Sequence, residues 1–298
     1  EADWVDTPAA DHVAINTTNI AAATARTGAD YTDAFTQVID TEANIVATLE
    51  AAHSYTNYLQ IYKNRTNVEV WYGQFSHDSS NAHTWSTANT HTTFPTLSGS
   101  DAFVGYAFNL GATGIKGGSV AHTNGADTTV THNAGNAQQT IILFSRGAGT
   151  EIMVYHPDLD GGKLLTLTAQ DAQATDSYIK NVTANAFDID TGEATATYDY
   201  IVISEACPYA AVGVYEGNAN ADGAFAPCIS EVSIGPVFAL IKNADTGATS
   251  WEARDTLRDP YNVTNNKLRV DTTAAESSEA NNAFDIVSSG LKFRATQA

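Results

Sequence analysis

Apolar residues fall along this chain in short runs of four to eight, rich in β-branched and aromatic side chains and broken by Gly, Asn and Asp. Such runs read as strands separated by turns. They predict strands at residues 59–62, 68–72, 102–110, 140–145, 152–155, 163–168, 197–204 and 237–241, a strand carrying Trp251, and a closing strand GLKFRAT. The segment TYDYIVIS alternates aromatic and β-branched positions as a half-buried strand does. No long segment keeps a period of 3.6, so the pattern predicts an all-β fold of antiparallel sheets rather than a parallel sheet. Residues 41–52 read two ways. Ile45, Val46 and Leu49 have helical spacing with Thr41 placed to cap the start, whereas the later parts of the chain have a strand at the corresponding place. Residues 1–40 read as an extended arm and 111–125, with five glycines, as a flexible connection.

The runs repeat. The pentamer NAFDI occurs at residues 185–189 and again at 282–286, and Phe187 and Phe284 lie 97 residues apart. That offset lays Ile141, Leu143 and Phe144 over Phe238, Leu240 and Ile241, and Val154 over Trp251. A third stretch, NYLQIYKNRTNVEVWYG, repeats the Lys-Asn pair (Lys63-Asn64 against Lys242-Asn243) and the tryptophan (Trp71). Each copy is then one supersecondary unit. The expectation is an arm at 1–40 followed by β modules at 41–125, 126–205 and 206–298, each a jelly-roll-like sandwich in size. Three copies sharing one continuous core fit the same pattern.

Charge narrows the partners. The 298 residues carry 14 basic and 34 acidic side chains, a formal charge of −20. A surface so poor in Lys and Arg cannot neutralise phosphates, which argues against nucleic acid. No run reaches the ~20 apolar residues of a spanning helix, and no charged start precedes an apolar block, so neither a membrane span nor a signal peptide is expected. The chain opens at Glu1 rather than Met, which reads as a trimmed or processed start. Cys207 and Cys228 flank a Gly/Asn/Ala-rich segment; a disulfide between them and two free buried thiols both fit.

Trp71 and Trp251 hold matching places and read as core. Trp85, outside the repeated pattern and beside His83, reads as an exposed aromatic for stacking on a sugar, with Tyr72 as its companion. His77, His83 and His91 are spaced six and eight apart in a polar stretch and read as solvated loop histidines rather than metal ligands. Asp188, Asp190 and Glu193, with Gly192, resemble the front of a calcium loop, although Asp and Gly also make ordinary hairpin turns. There is no Gly-x-Ser-x-Gly elbow and no phosphate loop, so no enzyme and no cofactor beyond that calcium candidate is expected.

The third copy carries a resemblance. Trp251, Asp255, Arg258, Asn262, Leu268, Glu276, Asp285, Gly290, Lys292 and Arg294 follow an order similar to that of a module of unknown function found in virion proteins of tailed phages, particularly marine ones. The resemblance spans about 212–296, extends to 139–204, and departs at Ser289. It implies a non-enzymatic protein on the virion surface, a tail-fibre, appendage or tail-associated component, with a capsid decoration protein as the alternative. Its partners would be other virion proteins and copies of itself, a trimer being favoured. A carbohydrate-binding adhesin touching a host-surface glycan is the reading from a different class.

Overall fold

The computed structural model describes residues 32–85, 88–147, 151–160, 163–175, 178–205, 207–214, 225–227, 238–260, 264–279, 284–287 and 290–293. The apolar runs form antiparallel strands almost throughout. The first copy contains β1 (Phe35–Thr41), a helix α1 (Ile45–Ala52), β2 (Tyr58–Asn64), β3 (Trp71–Phe75), β4 (Asn81–Trp85), β5 (Thr90–Thr93) and β6 (Ala102–Asn109). The second contains β7 (Ile115–His122), β8 (Thr128–Thr131), β9 (Gln139–Ser145), β10 (Ile152–Tyr155), β11 (Lys163–Thr166), β12 (Ala174–Thr175), β13 (Ile179–Lys180), β14 (Ala186–Ile189) and β15 (Ala196–Ser204). In the third are β16 (Phe225–Pro227), β17 (Phe238–Ile241), β18 (Glu252–Asp255), β19 (Asn266–Arg269), β20 (Ser277–Ser278), β21 (Phe284–Val287) and β22 (Gly290–Phe293).

The repeat in sequence is a repeat in topology. One sheet runs β1-β6-β2-β3-β4-β5, and a second runs β7-β15-β9-β10-β11-β12, the same order strand for strand. The third copy reproduces the meander as β17-β18-β19-β20. One face of each sheet enters a common core: Trp71, Trp85 and Tyr106 from the first, Phe144, Ile152 and Ile201 from the second, Trp251, Ala253 and Leu268 from the third. The expected modules are therefore not separate cores; no single sheet could bury its own apolar face. The opposite faces are covered locally. In the second copy the small sheet β13-β14-β8 packs Val130, Phe187 and Ile189 on Tyr198 and Val202. The first copy uses α1 instead, which sets Ile45 and Leu49 on Tyr62 and Phe103.

Four expectations change. Residues 35–41 belong to β1, paired along its length with β6, rather than to an arm; residues 1–31 lie outside the described residues. The ambivalent segment resolves into strand then helix, with Asn44 rather than Thr41 at the cap position. The supposed connection 111–125 contains β7, paired with β15. Its glycines serve close packing, since a Cβ on Gly117 would lie 2.5 Å from Leu110 Cδ1 and 3.0 Å from the Tyr200 carbonyl. The strand expected at 68–72 begins at Trp71, leaving Val68 exposed. One registration also shifts. Trp251 accepts from Val270 N, as Ile152 accepts from Leu167 N, so Ile152 and not Val154 stands where the tryptophan does. The turn before β10 is shorter than that before β18, and a constant offset cannot follow it.

The Lys-Asn pairs show how the copies are tied. Asn64 Oδ1 accepts from the backbone N–H groups of Thr66 and Asn67, and Asn243 Oδ1 from those of Asp245 and Thr246, the same Asx turn twice. The lysines before them reach across. Lys63 Nζ donates to the Thr273 carbonyl of the third copy (3.1 Å), and Lys242 Nζ to the Gln170 carbonyl of the second (3.4 Å). The indoles do likewise: Trp71 Nε1 donates to Arg269 O and Trp251 Nε1 to Thr166 O, each at 2.8 Å. Backbone pairs Glu276 N to Arg65 O and Gln173 N to Ala244 O complete two equivalent joints.

Lys63 is fully buried, and burial pushes its ammonium down to about 8, against the opposing pull of Glu69. Its folded-state value lies below the ~10.4 of an unfolded chain, so the unfolded state binds more protons between the two. Stability from this group therefore rises as pH climbs from about 8 to about 10.5, by up to ~3 kcal/mol. Lys63→Met is expected to remove that rise. Urea unfolding between pH 7.5 and 10 checks it, and equal slopes for the two proteins would refute it.

Candidate functional site

The joint between the second and first copies is built differently. Where the other copies have Lys-Asn, the second has Ser145-Arg146 at the end of β9. With no lysine to cross over, the joint is closed by charge. Arg146 Nη1 meets Asp78 Oδ2 at 2.9 Å; Nε and Nη2 meet Asp199 Oδ2 and Oδ1 at 2.9 and 2.7 Å. Asp78 ends a single 3₁₀ turn (Ser76–Asp78) in the first copy, and Asp199 lies on the core-facing side of β15 in the second. Three histidines of the first copy join them. His77 Nε2 lies 2.8 Å from Asp199 Oδ1, His83 Nε2 lies 2.9 Å from Asp199 Oδ2, and His91 Nε2 lies 2.7 Å from Asp78 Oδ2. His83 and His91 are direct cross-strand partners on β4 and β5, their rings 5.0 Å apart.

Burial alone would raise the carboxyls of Asp199 and Asp78. The bonds from His77, His83 and Arg146 hold Asp199 well below the usual carboxylate range, and those from Asn81, His91 and Arg146 lower Asp78. Bonding to Asp199 raises the Arg146 guanidinium in turn. A carboxylate offers about four lone-pair sites, and Asp199 spends them on His77, His83 and two guanidinium N–H groups. It has none left to take a proton from a substrate. The arrangement is a clamp between copies rather than a general base.

Of the expected solvated histidines, His77 is exposed, whereas His91 is part-buried and His83 is inside at 1 % exposure. Trp85 is likewise not a sugar platform: it is 4 % exposed and stacks on Trp71 at 6.5 Å and 11°. His83 and Trp85 share the inward face of β4, and the alternating string NAHTW carried that signal. Tyr72 is half-buried, its hydroxyl donating to Glu69 and its ring edge-on to Phe94. A Cβ on Gly73 would come 2.6 Å from Trp85 Cζ2, so Gly73→Ala is expected to cost about 1–3 kcal/mol by overpacking. An unchanged urea midpoint would show that the indole can move.

The calcium candidates do not converge. Asp188 accepts from Thr129 Oγ1 and Asn181 Nδ2, while Asp190 is paired with Lys180, which also holds Asp127 at 2.7 Å. A lysine ammonium stands where the ion was expected, and Glu193 N donates to the Asp190 carbonyl to close the turn. Cys207 is buried; Cys228, and with it the pairing, lies outside the described residues. Sequence reasoning missed Asp199, Asp78 and Arg146. A lone aspartate at a core-facing position of an apolar strand was the available signal.

By fold this is an all-β protein of repeated antiparallel sheets around a shared core, with its densest charge at the joints between copies. The chain belongs to the DUF7483 family, a domain of unknown function, whose profile matches residues 109–298. That span includes Arg146 and Asp199 and stops short of the three histidines. No curated protein and no solved structure matches the chain.

Proposed function

We propose that the chain is a non-enzymatic structural protein on the surface of a tailed-phage virion, a tail-fibre, appendage or tail-associated component working with other virion proteins and with copies of itself as a trimer. The observation that carries the structural part is the use made of the chemically able side chains. Lys63, Lys242, Trp71 and Trp251, Arg146 through Asp78, and Asp199 through His77 and His83 all bond one copy to another, which makes a crosslinked β body rather than a reactive cleft. Two concavities among the described residues, one beside α1 and one along His77 and Gly117, are shallow and open. The virion part is supported by the phage-module resemblance of the third copy, in which Asp255 and Arg258 form a buried ion pair.

The test is the position of the chain in an electron-microscopy map of the particle that carries it, with gold-labelled antibody against the purified chain as a second readout. Density at a tail or fibre, and a trimer mass by light scattering, are the expected results. Density on the capsid would make it a decoration protein, and absence from the particle would end the virion reading.

A further inference from the structure

The His-Asp clamp holds one group in a chemically demanding state. Asn89 is fully buried, and its Nδ2 donates to the Ser145 carbonyl at 2.6 Å, which fixes the orientation of the amide. Asn89 Oδ1 therefore faces His83 Nδ1, 2.9 Å away, and only an N–H can fill that bond. With Nδ1 committed as donor, Nε2 of a neutral ring presents a lone pair, yet it points at Asp199 Oδ2, 2.9 Å away. Two acceptors face each other unless something positive lies between them. A second proton, making an imidazolium, is one solution; a metal ion is the other.

We propose that this joint is a binding site for a divalent transition-metal ion of the zinc class, with His83 Nε2, His91 Nε2 and Asp199 Oδ2 as ligands. Ligand atoms from these three residues all lie within 4.8 Å of one another, on β4, β5 and β15. Ligands at about 2.0–2.1 Å in tetrahedral geometry sit about 3.3 Å apart, so small side-chain rotations close the set. Two imidazoles and a carboxylate suit zinc in preference to calcium or magnesium, which prefer all-oxygen shells. The surroundings have the form of an outer shell: Asn89 orients the His83 ring, and Arg146 holds the carboxylate of Asp199. A water takes the fourth position. The ion replaces the proton on Nε2 of His83, and that proton leaves to solvent. It also joins two strands of the first copy to one of the second, at the joint that lacks the lysine and tryptophan crosslinks. This inference does not rest on the virion reading.

The test uses the full chain without an affinity tag, stripped with EDTA and titrated with zinc chloride or cobalt chloride. One equivalent of zinc retained after gel filtration, a four-coordinate cobalt absorption band, and a melting temperature raised by about 5 °C at zinc a hundredfold above Kd are expected. His91→Ala, on the more exposed of the two imidazoles, should keep the fold and weaken zinc at least ~100-fold; Asn89→Ala should weaken it ~10-fold through the lost ring orientation. His83→Ala should abolish binding, and if it fails to fold the His91 variant decides. No retained zinc and no cobalt band would overturn the proposal and leave the clamp to protons. Binding indifferent to His91→Ala would overturn it equally.

Discussion

Asp199→Ala is expected to lower the free energy of unfolding by about 3–5 kcal/mol, the loss typical of breaking a buried ionic cluster from one side. The carboxylate is wholly buried and bonds Arg146, His77 and His83 together. Without it a guanidinium and two imidazoles are left facing each other across the joint of the first and second copies. Asp199→Asn separates charge from shape: it keeps the volume but points an amide N–H at groups that already donate, so most of the loss should persist. The acid limb gives a second readout. Burial opposes ionisation here, but the bonds from His77, His83 and Arg146 outweigh it and keep the folded-state value below the unfolded one. Stability from this group is thus fully present above about pH 4 and disappears as pH falls further. The Asn variant should lack that share of the acid decline. Urea unfolding from pH 2.5 to 7 measures both, and a loss below about 1 kcal/mol at neutral pH would show that the cluster relaxes into water.

The clamp and the scaffold were not equally legible. β-branched and aromatic runs such as 140–145 and 197–204 mark strands because a pleated, half-buried surface selects those side chains locally. The Lys-Asn pairs were legible too, since an Asx turn is set within three residues and repeats wherever the turn repeats. Helix α1 was half visible: Ile45 and Leu49 have the right spacing, but eight residues give a weak period. The joints were hidden for a different reason. His83 and Asp199 are 116 residues apart, and nothing local tells a histidine in NAHTW that it will meet an aspartate in TYDYIVIS. Trp85 misleads because its counterparts in the other copies, Leu167 and Val270, are aliphatic, so the core position repeats while the residue type does not. The break in symmetry that replaced lysine by Ser145-Arg146 instead demanded a different set of partners at that place.

Arg258→Met should give a loss of similar size, about 3–5 kcal/mol, at the joint of the first and third copies. Asp255 and Arg258 are buried and paired, three residues apart at the end of β18. Asp255 also accepts the Tyr106 hydroxyl of the first copy at 2.6 Å and the backbone N–H groups of Leu257 and Arg258. Arg258 Nη2 donates to the Ala253 carbonyl at 2.9 Å, and Nη1 to Glu276 at 3.1 Å. Removing the arginine strands a carboxylate beside a tyrosine in the shared core, where water cannot reach it. The loss should be nearly independent of salt up to 1 M, because a pair so enclosed is poorly screened. Arg65, bonded to the same Glu276 but 22 % exposed, should by contrast lose about 1 kcal/mol or less on change to alanine, and less still in high salt. The apolar triple variant Asp255→Leu, Arg258→Met and Tyr106→Phe tests what the cluster is for. Removing both charges and the hydroxyl together should recover most of the stability. If the triple variant is as stable as the wild type but no longer melts in one transition, the ion pair serves to register the third copy against the first rather than to hold it. If Arg258→Met alone is as stable as the wild type, the cluster does neither.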